Sequence, residues 1–140
     1  MTPSDLCVAC GMCCDGTMFG NVVAHEHEME QMISLGAGTK YNEEENKHFF
    51  LQPCPAHVNG SCSIYETRPK TCSGYKCHLL KRVLKNEITP EQALVKVERM
   101  KKAKKDLGVA SVKEARQLKT EEAKRFVQDM QNGFYGPKKK

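Results

Sequence analysis

Eight cysteines, all placed before residue 78 of a 140-residue chain, constrain this sequence more than any other feature. They stand at positions 7, 10, 13, 14, 54, 62, 72 and 77, and the remaining 63 residues have none. Core material is thin: 39% of residues are hydrophobic, 6% are aromatic, and Trp is absent. A small chain so short of large apolar anchors calls for cross-links or metal. Eight cysteines admit disulfides. However, the N-terminal stretch Met1-Thr2-Pro3-Ser4-Asp5-Leu6-Cys7 has neither the basic nor the apolar segment of a secretory signal. The expected localisation is therefore cytoplasmic, where thiols stay reduced and crowded thiols are better explained by metal. No apolar run approaches the roughly 20 residues that cross a bilayer, so no membrane role is expected.

Charge divides where the cysteines end. Residues 1–77 carry five Lys/Arg against nine Asp/Glu, a net of −4; residues 78–140 carry seventeen against eight, a net of +9. The pattern predicts a single small domain, mainly α, with a small irregular and β-hairpin Cys-rich metal-binding core. The core is placed at 1–77, a basic helical extension packed on it at 78–135, and a disordered tail at 136–140.

Local signals fill in this outline. Cys7–Asp15 reads as a cysteine loop folded around Gly11. Phe19–Ala24 reads as extended, and His25–Leu35 as a helix with Met29, Met32 and Ile33 on one face and Gly36 as its stop. Residues 36–48 read as a polar surface loop, and Phe49–Leu51 as a strand. Asn59-Gly60 signals a hairpin that brings Cys54 and Cys62 together. Pro69 opens a helix running past Cys72 and Cys77 to about Lys85, with a break available at Gly74. Thr89-Pro90-Glu91-Gln92 is a capping box followed by helical apolar spacing to Gly108. Ser111 and Glu114 open a further helix that continues to Gly133, with Thr120 as a candidate restart.

The cysteine spacing carries the chemistry. Cys7, Cys10 and Cys13 follow the C-x2-C-x2-C run with which ferredoxins begin to grip a [4Fe–4S] cluster. The fourth ligand must then come from Cys14 or from Cys54, Cys62, Cys72 or Cys77. Cys13 and Cys14 are adjacent, so divergent side chains are expected. Two closed four-thiolate zinc sites would also use all eight thiols. His57 and His78, beside cysteines, are candidate ligands or hydrogen-bond partners of one; polar surface placement is the simpler reading of each. Arg68 is placed to offset the negative charge of a thiolate centre, and Tyr65 to donate to a cluster sulfur.

These residues resemble a known family. Cys7-x2-Cys10-Gly11-x-Cys13-Cys14, Cys54-Pro55, Gly60-x-Cys62-Ser63-Ile64-Tyr65-Glu66-x-Arg68-Pro69-x2-Cys72, Tyr75 and Cys77 are similar to the CxxCxxCC cysteine-cluster proteins. The resemblance implies zinc or iron chelation. A related cluster in flagellin lysine N-methylases looks like an iron–sulfur site. The resemblance covers about residues 7–77, and the family's usual Arg after the cysteine of the Arg-Pro stretch is replaced here by Ser73. An iron–sulfur cluster, [4Fe–4S] favoured, serving electron transfer or redox sensing with a protein partner is the first expectation. A zinc-stabilised module whose basic helices bind an acidic protein or nucleic acid is the alternative. An enzymatic role is suggested only by the methylase relatives, and no Gly-rich nucleotide loop supports one.

Overall fold

The structure, a computed structural model, describes residues 1–136. Of the expected disordered tail, residues 137–140 lie outside that range. The chain runs through helix α1 (Pro3–Cys10), strand β1 (Asn21–Ala24), helix α2 (Glu26–Ser34) and strands β2 (Thr39–Asn42), β3 (Lys47–Leu51), β4 (His57–Val58) and β5 (Ser61–Cys62). A 3-10 turn (Tyr65–Thr67) precedes helices α3 (Lys70–Gly74), α4 (His78–Leu84), α5 (Pro90–Leu107), α6 (Val112–Gln117) and α7 (Glu121–Met130), and a π-helical turn (Gln131–Tyr135) follows them. About 52% of the described residues are helical and the sheets are small and antiparallel, as a mainly-α chain with a hairpin requires. Two compact units form: Gly11–Tyr75 is one, and Met1–Cys10 joins the chain from Lys76 onward in the other.

In the Gly11–Tyr75 unit, β3 is the central strand, antiparallel to β1 on one side and β2 on the other. Alternation puts Phe50 inward, opposite Val22 of β1. Phe50, Met29, Met32 and Ala24 form the buried cluster, against which Val22, Ala37, Ile64, Cys54 and Cys72 pack. Ile33, expected on the same face of α2, is 56% exposed; of the three, Met29 and Met32 are buried. Residues 36–48 are not simply a loop, because Thr39–Asn42 pairs with β3. This edge strand is largely exposed and so lacks the alternating apolar pattern that reveals a half-buried strand. Asn59 (φ 51°) and Gly60 (φ 82°) make the hairpin turn, pairing His57 with Cys62 across β4–β5.

One carboxylate joins two helices of this unit. Glu28 accepts from the backbone N–H of His25 at 2.8 Å and from that of Lys70 at 2.8 Å, so it serves the N-terminal ends of both α2 and α3. Burial would raise its pKa, but the two N–H groups prevail and hold it below the usual value. The helix opened at Pro69 ends at Gly74, and α4 restarts after Cys77; one helix through both cysteines does not form.

Among its described residues, the other unit has helices and no strand. α1 takes Cys7 and Cys10 out of the cysteine loop expected over Cys7–Asp15, of which residues 11–15 remain irregular. Thr2 Oγ1 accepts from the Asp5 N–H at 3.1 Å, and Asp5 Oδ2 accepts from the Thr2 N–H at 2.8 Å. Thr2-Pro3-x-Asp5 is the same device as Thr89-Pro90-x-Gln92, where the paired bonds are 3.1 and 2.9 Å. α1 packs on α4 and α5, with Leu6, Leu79, Val83, Ala93 and Val97 buried. Lys101 Nζ donates to the Ala9 carbonyl at 2.6 Å, close to the C-terminal end of α1. The stretch after Ser111 breaks at Leu118, and Thr120 Oγ1 caps α7 by accepting from the Ala123 N–H. Gly133 does not end it: the chain continues as the π-helical turn to Gly136, whose φ of 97° suits glycine.

Burial fixes the expected cost of two substitutions. Phe50→Ala is predicted to destabilise the protein by about 3–5 kcal/mol. Ile33→Ala, on the same unit's surface, stays within about 0.5 kcal/mol. Urea denaturation of the two variants checks the pair; equal losses would contradict the packing described.

Candidate metal centre

Five of the eight thiols belong to the Gly11–Tyr75 unit, and they arrive on four local devices. Cys13 and Cys14 follow Gly11, whose φ of 61° turns the chain out of α1. A side chain at that glycine would meet the His57 imidazole at 3.0 Å, so the loop and the hairpin approach closely. The loop is anchored by Met12 and Met18, both buried, and Met18 N–H donates to the Met12 carbonyl. Buried Thr17 donates through its N–H and its hydroxyl to Asp15 Oδ1, at 2.9 and 2.5 Å. Cys54 follows β3 through Pro53, Cys62 sits on β5, and Cys72 on α3, which packs against β1. Phe19 and Tyr75 meet edge to face at 5.3 Å, tying the end of the cysteine loop to the end of α3.

Cys13 and Cys14 do not diverge: their sulfurs are 4.0 Å apart and share a hydrogen bond. The bond from Cys14 draws the Cys13 thiol down to about 7. The same bond, reinforced by burial and by the fields of Cys13, Cys54 and Cys72, holds the Cys14 proton on. Burial pushes Cys72 up to about 11, with Cys54, Cys13 and Cys62 adding to it and Arg68 opposing. Burial also raises Cys54, and the field of Cys62 adds to it. The five thiols therefore share one electrostatic environment, in which the half-buried Arg68 favours thiolate at Cys13 and Cys72. The hairpin meets the sequence expectation in part: Cys62 faces His57 across the ladder, while Cys54 lies within its field.

Arg68 and Tyr65 form one structural element. The guanidinium carbon lies 4.0 Å from the Tyr65 ring centre, and Arg68 Nε donates to the Tyr65 carbonyl at 2.9 Å. Stacking on a 53% exposed Tyr65 holds the cation in place. His57 is half-buried, its ring against Gly11, and its N–H donates to the Cys54 carbonyl at 3.0 Å. Cys7 and Cys10 lie on α1 and Cys77 caps α4, accepting from the Leu80 N–H at 3.4 Å; all three belong to the other unit. So does half-buried His78, whose side chain would meet any Cβ added at Gly136. His25 and His27 are exposed and stack on each other at 5.6 Å.

The donor set suits a soft metal or an iron–sulfur cluster, both of which take thiolates. Four ligands are needed and five thiols share the environment. Among the described residues, no three His, Cys, Asp or Glu side chains already stand in ligating geometry. Backbone contact joins two of the segments that carry these thiols, the Cys54 N–H donating to the Cys14 carbonyl at 2.8 Å. Sequence periodicity did not reveal Met12, Met18 and Thr17 as the loop's anchors.

The shared proton of Cys13 and Cys14 has a measurable consequence. In metal-free protein, iodoacetamide is predicted to modify Cys13 with a rate that rises through about pH 7, because the thiolate is the nucleophile. Cys72 responds only as pH approaches about 11. Cys14→Ala removes the donor and returns Cys13 toward the ordinary thiol value of about 8.5. Mass spectrometry of the adducts reads all three; a single common profile would contradict the paired-thiol geometry.

Neither a curated protein nor a solved structure matches the chain. One family does: the CxxCxxCC family, described as a "Putative zinc- or iron-chelating domain", matches residues 6–100. That span holds all eight cysteines with Tyr65 and Arg68, and continues beyond the last cysteine through α4 and into α5. The family's extent is thus greater than the 7–77 stretch in which the motif is legible. With well over half of its residues matched, this chain belongs to the CxxCxxCC family of zinc- or iron-chelating domains.

Proposed function

We propose that this protein holds an iron–sulfur cluster on cysteine thiolates and uses it for electron transfer or redox sensing with a protein partner. The observation that supports this most directly is the shared field of Cys13, Cys14, Cys54, Cys62 and Cys72 with Arg68. Four of these five thiols are the proposed ligands within the Gly11–Tyr75 unit. Cys7, Cys10 and Cys77 join the proposal on their motif spacing alone. A cluster supplies one-electron chemistry when bound. Arg68, held by Tyr65, offsets the negative charge of thiolates, and the buried flank of Phe50, Met29 and Met32 limits water at Cys54 and Cys72.

The zinc reading has an observation of its own. Cys54 and Cys72 pack on the small core of this unit, so a closed zinc site there would cross-link the strand end to α3. The basic helices would then be the interacting part. Their lysines are partly committed: Lys101 bonds the Ala9 carbonyl and Lys102 pairs with Asp106 at 2.7 Å. Those contacts leave a weaker case for phosphate binding than the net charge alone suggests.

Protein purified without oxygen is expected to be coloured, with iron and acid-labile sulfide in similar amounts, and Cys54→Ser with Cys72→Ser is expected to remove both. Colourless protein carrying zinc would replace the redox reading with the structural one, and protein with no metal would contradict both. Loading is also predicted to release protons and to weaken as pH falls. Cys14, Cys54 and Cys72 hold theirs above the usual thiol range and must lose them to bind. Calorimetry in buffers of different ionisation heat measures that release.

A further inference from the structure

Gln52, between the end of β3 and Pro53, has no role in the cysteine motif, yet its carboxamide reaches into the candidate centre. Its Nε2 donates to the Cys13 carbonyl at 2.9 Å. Among the described residues, its Oε1 is a buried side-chain atom with no hydrogen-bond partner. A buried acceptor without a donor is costly. Methionine has a similar length and would fill the same space without that acceptor. What the amide provides, and methionine does not, is the N–H to Cys13.

That bond falls on a significant peptide group. The Cys13 carbonyl belongs to the peptide joining Cys13 to Cys14, the pair whose sulfurs lie 4.0 Å apart. The next peptide is held as well: the Cys54 N–H donates to the Cys14 carbonyl at 2.8 Å. Residues 52–54 thus grip two consecutive peptides of the cysteine loop. The Gln52 backbone is anchored in turn, its N–H donating to the Gly20 carbonyl at 3.0 Å. Gly16 lies beside the same residues: a Cβ there would make ordinary contact with Pro53 N at 3.6 Å and Gln52 Cβ at 3.8 Å. The Gln52 amide holds the orientation of the Cys13–Cys14 peptide, and with it the backbone dihedrals on either side from which the two thiols project.

We propose that Gln52 is a positioning residue of the thiolate centre, fixing the Cys13–Cys14 peptide so that both sulfurs face the ligands brought by Cys54 and Cys72. This rests on the reading that these thiols hold metal. Groups that orient metal ligands typically contribute 10–100-fold in affinity. Gln52→Met is therefore expected to weaken zinc binding by about that factor, measured on the full chain by competition with a chromophoric chelator. The melting temperature of the chelator-treated protein stays unchanged or rises, because the orphaned acceptor is gone. Gln52→Glu, which keeps the shape but lacks the N–H donor at neutral pH, is the second variant should Gln52→Met fail to fold. Its expected loss is similar.

Zinc affinity equal to wild type in a folded variant overturns the inference and leaves the metal reading standing. A chelator-treated melting temperature that falls in step with affinity assigns Gln52 to the fold alone and overturns it too. Wild-type protein that takes up neither zinc nor iron overturns the metal reading and this inference with it.

Discussion

Thiols packed against an apolar core prefer to stay protonated, and a metal must overcome that preference. This opposition organises the Gly11–Tyr75 unit. Cys54 and Cys72 lie against the cluster of Phe50, Met29, Met32 and Ala24, and burial raises both thiols. Cys13, exposed and bonded to Cys14, is the exception and ionises near neutral pH. The unit therefore offers one ready thiolate and several reluctant ones. Such a set binds metal only when the gain from coordination exceeds the cost of removing protons from buried sulfur. Arg68 lowers that cost at Cys13 and Cys72, and its stacking on Tyr65 keeps it from swinging away.

The small sheet gives these thiols their placement. β3 carries Phe50 into the core and delivers the chain at once to Gln52, Pro53 and Cys54. The Cys54 N–H then reaches back to the Cys14 carbonyl. The β4–β5 hairpin returns Cys62 to the same region, and Glu28 sets the start of α3, on which Cys72 rides. A loop, a strand end, a hairpin and a short helix each bring a thiol, so the proposed centre would depend on tertiary contacts and not on one local motif.

Much of the architecture was legible in the residues. Asn59-Gly60 required a hairpin, Thr89-Pro90-x-Gln92 required a helix start, and Gly74 gave the break between α3 and α4. Three features were hidden for physical reasons. α1 looked like a metal loop because its cysteines dominate, although Thr2-Pro3-x-Asp5 carries the same capping logic as the start of α5. β2 is an exposed edge strand without apolar alternation. Adjacent cysteines were expected to diverge, but the turn after Gly11 brings the Cys13 and Cys14 sulfurs together. The spacing of the cysteines announced thiolate chemistry. The role proposed for Gln52 depends on a contact 39 residues away in sequence, which no local pattern contains.

The central claim is that thiolates of this chain hold a metal. X-ray absorption at the metal edge of protein purified without oxygen tests it most directly, because the first-shell distances identify the ligating element. The account predicts a shell made of sulfur alone, at about 2.3 Å for zinc or in the similar range of thiolate-bound iron, with an added iron–iron distance if a cluster is present. A first shell dominated by oxygen or nitrogen at about 2.0–2.1 Å would contradict it.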